Sequence, residues 1–258
     1  MTPRRVAELV MRNRRFVRRT PVAFGKRPIV VSPDASLRWL RTDPWRDEHA
    51  LMVAVQLLAS PGAVVWDLGA NVGAFGLCAA ARTGAVVVMV EADPFLAELL
   101  RDSARRSPDL AIEILCCAVG ENEGVARFAI AGRGRNSSGL VEGKISSQHG
   151  ESREIRLVTT LSADCLLGQF PWPDVVKVDL EGGEAMFMRG ARRLLEEIRP
   201  LLYVEIHRDN RPFVFAELER HGYEVRQHLG NGWIPVRDDP PSEDFFAAPR
   251  ERAAALFG

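Results

Sequence analysis

Several features are scarce in this 258-residue sequence, and each scarcity closes off a class of function. No strongly apolar run approaches the roughly 18 residues a membrane span requires; Val86 to Val90 is typical of the short runs present. The basic N-terminus is followed by neither an uninterrupted apolar stretch nor a small-residue cleavage site, so a secretory signal is not expected. Four cysteines (Cys78, Cys116, Cys117, Cys165) form no C-x-x-C pair and have no histidine at zinc-ligand spacing. Cys116 and Cys117, being adjacent, would point to opposite faces of a strand, so reduced structural thiols are expected and no metal site. There is no internal repeat. With 47% hydrophobic residues, the composition excludes disorder and collagen-like structure, and the length suggests one well-cored domain with additions. Lysine is rare, three against 31 arginines, so the place of each lysine is informative.

Net charge is also lacking, 34 basic groups balancing 34 acidic ones, but the balance hides an asymmetry. Residues 1–27 hold nine basic side chains against Glu8 alone, a surplus of eight, which leaves 28–258 at −8. A body this acidic is a poor nucleic-acid platform, because phosphate neutralisation supplies much of that affinity. No nucleic-acid partner is expected. In the basic segment Val6, Leu9, Val10, Phe16 and Val17 fall near one helical face. Residues 1–40 are therefore expected as a basic N-terminal helix and linker. Packing of that face on the body is the plain expectation, and peripheral contact of residues 1–27 with an anionic membrane surface is the alternative. The expected location is cytoplasmic, or membrane-peripheral on the second reading.

Beyond residue 41 the pattern predicts alternating elements. A helix is expected from about Glu48 to Leu58, a strand at Ala63–Leu68, a helix from Gly73 to Arg82, and a strand at Val86–Val90. A helix opening at Pro94, a strand at Ile112–Val119, strands at Asp174–Asp179 and Leu201–Ile206, and intervening helices complete the rhythm. It reads as an α/β fold with a doubly wound, mostly parallel sheet. Tyr223–His228 and Trp233–Val236 are expected as a C-terminal antiparallel hairpin through Gly230-Asn231-Gly232. The Gly/Ser-rich stretch within 132–154 is expected to be a mobile loop between two strands.

Two constellations carry chemistry. The run Asp67-Leu68-Gly69-Ala70-Asn71-Val72-Gly73 occupies the first strand-to-helix turn, where doubly wound sheets bind nucleotides. A pyrophosphate would want a third glycine at Asn71 and would be repelled by Asp67. An ammonium or sulfonium would be attracted instead, so S-adenosylmethionine fits better than a nicotinamide cofactor. Glu91, at the end of the next strand, is placed to accept hydrogen bonds from ribose hydroxyls. The second constellation is Lys177-Val178-Asp179-Leu180-Glu181-Gly182-Gly183-Glu184, followed at the next strand by Glu205 and His207. A lysine inside an apolar strand is costly unless paired. Asp179 ends a central strand, where ligands of open α/β sheets sit.

On these residues the sequence resembles the FkbM family of S-adenosylmethionine-dependent methyltransferases. D-x-G-A-N-x-G (Asp67 to Gly73), an acid shortly before proline (Glu91 to Pro94), K-x-D-x-E-G-x-E (Lys177 to Glu184) and R-P-x-x-x-x-E-x-H (Arg199 to His207) occur in order. The likeness covers roughly residues 48–236. One departure is Leu161-Ser162-Ala163-Asp164, where the family has aspartate directly after leucine; Ser162 can take over the capping. The resemblance implies a Rossmann-like class I methyltransferase domain over 41–258, using S-adenosyl-L-methionine for O-methyl transfer to a hydroxyl of a sugar, glycan or secondary metabolite. It implies cofactor binding by Asp67, Gly69, Asn71, Gly73 and Glu91, and acceptor-side roles for Lys177, Asp179, Glu181, Glu205 and His207. His207 is expected as the base, because imidazole titrates near neutrality. A divalent cation held by paired carboxylates is the secondary reading. The rivals are RNA or protein methylation through the basic arm, and a cofactor-binding assembly subunit without activity.

Overall fold

The short runs of valine, leucine and isoleucine do not alternate with polar residues, which is the pattern of parallel strands covered on both faces. The computed structural model describes residues 11 and 13–258 apart from 47, 133–134, 136–137, 142–151, 231 and 238–239. Its first elements are β1 (Phe16–Arg19), β2 (Pro28–Val31), α1 (His49–Leu58), β3 (Val65–Leu68), α2 (Ala74–Thr83), β4 (Val87–Val90), α3 (Pro94–Arg105) and β5 (Ile112–Leu115). An insertion follows, with β6 (Ala118–Val119), β7 (Gly124–Ala131), β8 (Gly139–Leu140) and β9 (Ser152–Leu161). The chain then returns through α4 (Ala163–Leu166), β10 (Val175–Val178), α5 (Glu184–Arg189), β11 (Leu201–Glu205) and α6 (Arg211–Arg220). It closes with β12 (Tyr223–Leu229), β13 (Gly232–Pro235), β14 (Asp244–Pro249) and α7 (Arg250–Phe257).

The main sheet runs β13-β12-β14-β11-β10-β3-β4-β5. From β11 to β5 all pairings are parallel, and β14 lies antiparallel between β11 and β12. The α/β, doubly wound, mostly parallel sheet is present as expected, with one reversed strand, β14, wedged in near its end. Consecutive side chains serve opposite faces. Val65, Val87, Met89 and Val175 join the core covered by α1, α2 and α3. Trp66, Leu68, Val88, Val176 and Val178 join the core covered by α5 and α6.

Three expectations are corrected. Phe16 and Val17 lie in β1, paired with Val31 and Val30 of β2, not on a helix; Val6, Leu9 and Val10 fall outside the described residues. The reason is local: the chain reverses at Val22–Gly25, so 16–19 meets 28–31 and strand pairing satisfies a backbone that a helix there would leave beside an unpaired β2. The segment 28–39, read as linker, buries Ile29, Val30, Val31, Ala35 and Trp39 in the core beside α3. The single strand expected over 112–119 splits, because 112–115 pairs with β4 while Ala118 and Val119 pair with β9 in the four-stranded insertion sheet. The hairpin β12–β13 is present, but it is the sheet edge, and β14 and α7 beyond it were not anticipated. Of the loop expected at 132–154, residues 142–151 lie outside the described residues, whereas Gly139–Leu140 pair with β7. No helix among the described residues is long and apolar enough to cross a membrane.

The N-terminal segment is fastened to the body by a buried serine. Val30 N–H donates to Ser103 Oγ at 2.8 Å, and the Ser103 hydroxyl donates to Leu99 O at 2.9 Å. Ser103→Ala strands a buried N–H and should lower unfolding stability by about 1–3 kcal/mol in urea titrations. Wild-type stability in that variant would show that this hydrogen bond does not carry the attachment.

Candidate active site

The site lies at the carboxyl ends of β3, β4, β10 and β11, where an open sheet leaves a crevice. After β3 the chain turns through Gly69 (φ +76°), Asn71 (φ +54°) and Gly73 (φ +85°). Gly69 tolerates no side chain: a Cβ there would stand 1.8 Å from Asp179 O, so the cofactor turn rests directly on the backbone leaving β10. Gly73 caps α2 without a side-chain acceptor, and Asp67 supplies the missing one from β3, its Oδ2 accepting from Gly76 N at 2.9 Å. A carboxylate at a helix N-terminus is favoured there. Asp67 is fully buried, with its oxygens directed to Gly76 and Lys177, and it is not among the residues lining the pocket.

Glu91 does line it. Its Oε2 accepts from Asn71 N at 2.8 Å and its Oε1 from Asp93 N at 2.7 Å, so one carboxyl joins the turn after β3 to the turn after β4. Burial pushes this carboxyl up to about 7 against the pull of those two N–H groups.

Strand register builds the other half. Lys177 stands opposite Asp67 on one side and Tyr203 on the other. Its ammonium, 4% exposed as a residue, lies 2.8 Å from Gly69 O, 3.0 Å from Asp179 Oδ2 and 3.3 Å from Asp67 Oδ1. Burial would lower the ammonium's pKa, but Asp179 and Asp67 outweigh it and hold it above the usual lysine range. Two residues farther on the same face come Asp179 and Glu205, and Glu205 pairs with Asp244 of β14. Crowded acids cannot all ionise. Burial and the Asp179 charge push Glu181 up to about 9; Asp179 and burial push Glu205 up to about 8.

Not every expected residue converges. His207 lies past the end of β11, exposed, at the start of a short 3-10 turn, and does not line the pocket. Glu184 is 1% exposed and structural: it accepts from Gly182 N and from Asn210 Nδ2, each at 2.8 Å, pinning the Glu181–Glu184 turn to the segment after β11. Two participants escaped sequence reasoning. Tyr203 donates its hydroxyl to Asp244 Oδ1 between the rings of Phe75 and Phe246. Arg135 comes from the insertion and forms part of the pocket wall. No local pattern marks either, since the contacts cross tens of residues.

The pocket is a crevice partly open to solvent. Glu91 bounds one region, Ala92, Val119, Phe128 and Leu140 supply apolar walls, and Asp179 and Glu181 bound another. This fits an adenosine bearing a cationic tail: a hydroxyl acceptor, an apolar slot, and acids where positive charge is welcome. It does not suit a diphosphate, because Arg135 is the single basic lining residue and two carboxylates already hold it. Among the described residues no group of three or more His, Cys, Asp or Glu side chains is arranged to hold a metal ion.

Comparison with known proteins adds a lineage. Residues 67–225 match the family model described as Methyltransferase FkbM domain. The hexuronic acid methyltransferase AglP of Haloferax volcanii is 30% identical over 150 residues, and the match spans 56% of each chain. Among solved structures, the methyltransferase FkbM from Methylobacillus flagellatus is 20% identical, with a TM-score of 0.48, covering 73% of this chain and 44% of that one. The tRNA (uracil-54, C5)-methyltransferase of Pyrococcus abyssi, solved with S-adenosyl-L-homocysteine, is 13% identical at a TM-score of 0.48, covering 90% and 43%.

Replacement of Lys177 by Met leaves the buried Asp67 carboxylate without its counter-charge and should cost about 3–5 kcal/mol of stability in urea unfolding. The double variant Asp67→Asn, Lys177→Met should recover part of the loss. A single variant as stable as wild type would remove the ion pair from its central place.

Proposed function

The chain belongs to the FkbM methyltransferase family, and from that premise we propose that it methylates a hydroxyl of a sugar or glycan with S-adenosyl-L-methionine. The observation that carries the reading is one pocket bounded by Glu91 at one region and by Asp179 and Glu181 at another. The substrate named for the Haloferax volcanii relative supports a sugar acceptor. When bound, the cofactor supplies an electrophilic methyl group on a cationic sulfur.

The chain's own residues then have separable tasks. Glu91, ionised, has free lone pairs for ribose hydroxyls beside its two backbone donors. Ala92, Val119, Phe128 and Leu140 exclude water from the adenine side. Glu181, which lines the pocket and is pushed up to about 9 by burial and the Asp179 charge, can both donate to and accept from the hydroxyls of a polyol. Asp179 touches the pocket and is held by Lys177, so it is best placed to receive the proton of the reacting hydroxyl. Transfer in line then depends on holding the acceptor oxygen behind the methyl group, which is a matter of positioning.

Two measurements test this. Glu91 has a folded pKa near 7 against an ordinary 4.5, so between those values the folded protein keeps a proton that the unfolded chain has lost. Stability without ligand should therefore fall as pH rises through that window. Ribose hydroxyls need the ionised form, so S-adenosylhomocysteine affinity measured by calorimetry should fall several-fold as pH drops from 8 to 6. Glu91→Gln should bind more weakly and lose the pH dependence, and a flat wild-type profile would overturn the ribose assignment. In turnover assays with labelled cofactor and a panel of sugars and glycans, Asp179→Asn should lose roughly 10²-fold or more, while His207→Gln stays within a few-fold. The reverse ranking would make His207 the base.

A further inference from the structure

The residues that precede the family-matched region are not spectators of the pocket. We propose that Asp34, acting through Arg135, is a cofactor-positioning residue that latches the insertion across the cofactor site. Arg135 is 5% exposed and forms part of the pocket wall together with Ser138 and Leu140 from the same segment. Its Nε donates to Asp34 Oδ2 at 2.9 Å, its Nη1 donates to Asp93 Oδ2, and its guanidinium lies 4.6 Å from the centre of the Phe95 ring. The main chain repeats the link: Arg135 N donates to Asp34 O at 3.0 Å. One guanidinium thereby joins three separate stretches of chain, the N-terminal segment, the start of α3 and the insertion.

Each anchor is itself fixed. Asp93 caps α3, accepting from Phe95 N at 2.9 Å, and follows Glu91 by two residues. Asp34 N–H is held by Ser32 Oγ at 3.1 Å, just after the strand that Ser103 fastens to α3. The described part of the insertion wall is otherwise bonded within the insertion itself, by two rungs of β8 on β7, by Val141 N donating to Arg127 O at 2.9 Å and by Ala131 N donating to Ser138 Oγ at 3.1 Å, and Leu140 packs in the small apolar cluster that Ala92 also joins. Two buried carboxylates around one guanidinium leave a net negative charge, so the latch adds a wall without repelling a cation. Removal of Asp34 therefore frees the wall at its outer end while Asp93 continues to cap its helix.

This proposal rests on the functional reading above, and the test separates the two. In Asp34→Ala and Arg135→Gln, S-adenosylhomocysteine affinity by calorimetry should fall at least tenfold, with dissociation faster in stopped-flow displacement. The double variant should be no worse than the weaker single one, as expected for groups acting as a unit. Hydrogen exchange of the ligand-free protein should accelerate together at 32–35 and 138–141, with β3 and β10 unchanged. Asp174→Ala, which loses the bond from Val64 N at the amino ends of β3 and β10, opposite the site, is the stability control and should keep its affinity. If Arg135→Gln does not fold, Asp34→Asn removes the same charge with the shape retained and should shift affinity in the same direction. Unchanged affinity in the folded variants, or a loss matched by Asp174→Ala, would overturn the latch alone. Wild-type protein that fails to bind S-adenosylhomocysteine would overturn the functional reading, and the latch's cofactor role with it.

Discussion

A single ammonium group sets the terms for this site. Lys177 is buried in the middle of the sheet, where an unpaired charge would be prohibitively costly, so its surroundings must replace water entirely. They do so with Asp67 from one neighbouring strand, Asp179 two residues onward, and the carbonyl of Gly69. Each partner has a second obligation. Asp67 holds the start of α2, Gly69 lies at the head of the cofactor turn, and Asp179 faces the pocket. The lysine thus couples the helix, the turn and the pocket wall through one charge balance.

The two ends of the pocket solve opposite electrostatic problems. At the Glu91 end a lone carboxyl is buried but receives two backbone N–H groups, which moderates its rise. At the Asp179 end several carboxyls crowd together, and burial together with the Asp179 charge leaves Glu181 and Glu205 reluctant to ionise. One end is therefore suited to accepting hydrogen bonds and the other to exchanging both donors and acceptors with hydroxyls.

Much of this was legible in the sequence, for a physical reason. The motifs sit at strand ends, and strand period and turn residues are local properties, so Asp67, Glu91, Lys177 and Asp179 could be placed on their strands and strand ends from their neighbours alone. The misses are non-local. Phe16 and Val17 match a helical face as well as a strand, and only the presence of β2 decides between them. Phe245 and Phe246 of β14 follow a proline-rich, polar approach, and their strand is specified by the gap between β11 and β12. Arg135 meets Asp34 across 101 residues of chain, a pairing no window of sequence contains.

The contact between Gly69 and the carbonyl of Asp179 constrains how such a site can diversify. Backbone touching backbone leaves no intervening side chain whose size could be tuned, so the distance between the turn after β3 and the end of β10 is set by the fold. The surroundings of the pocket can change only through what projects from the strand ends and from the insertion, while the ruler between the two strands stays the same length. The insertion sheet, which shares no strand with the main sheet, is then the natural place for variation, because it can be lengthened or recast without disturbing that fixed spacing.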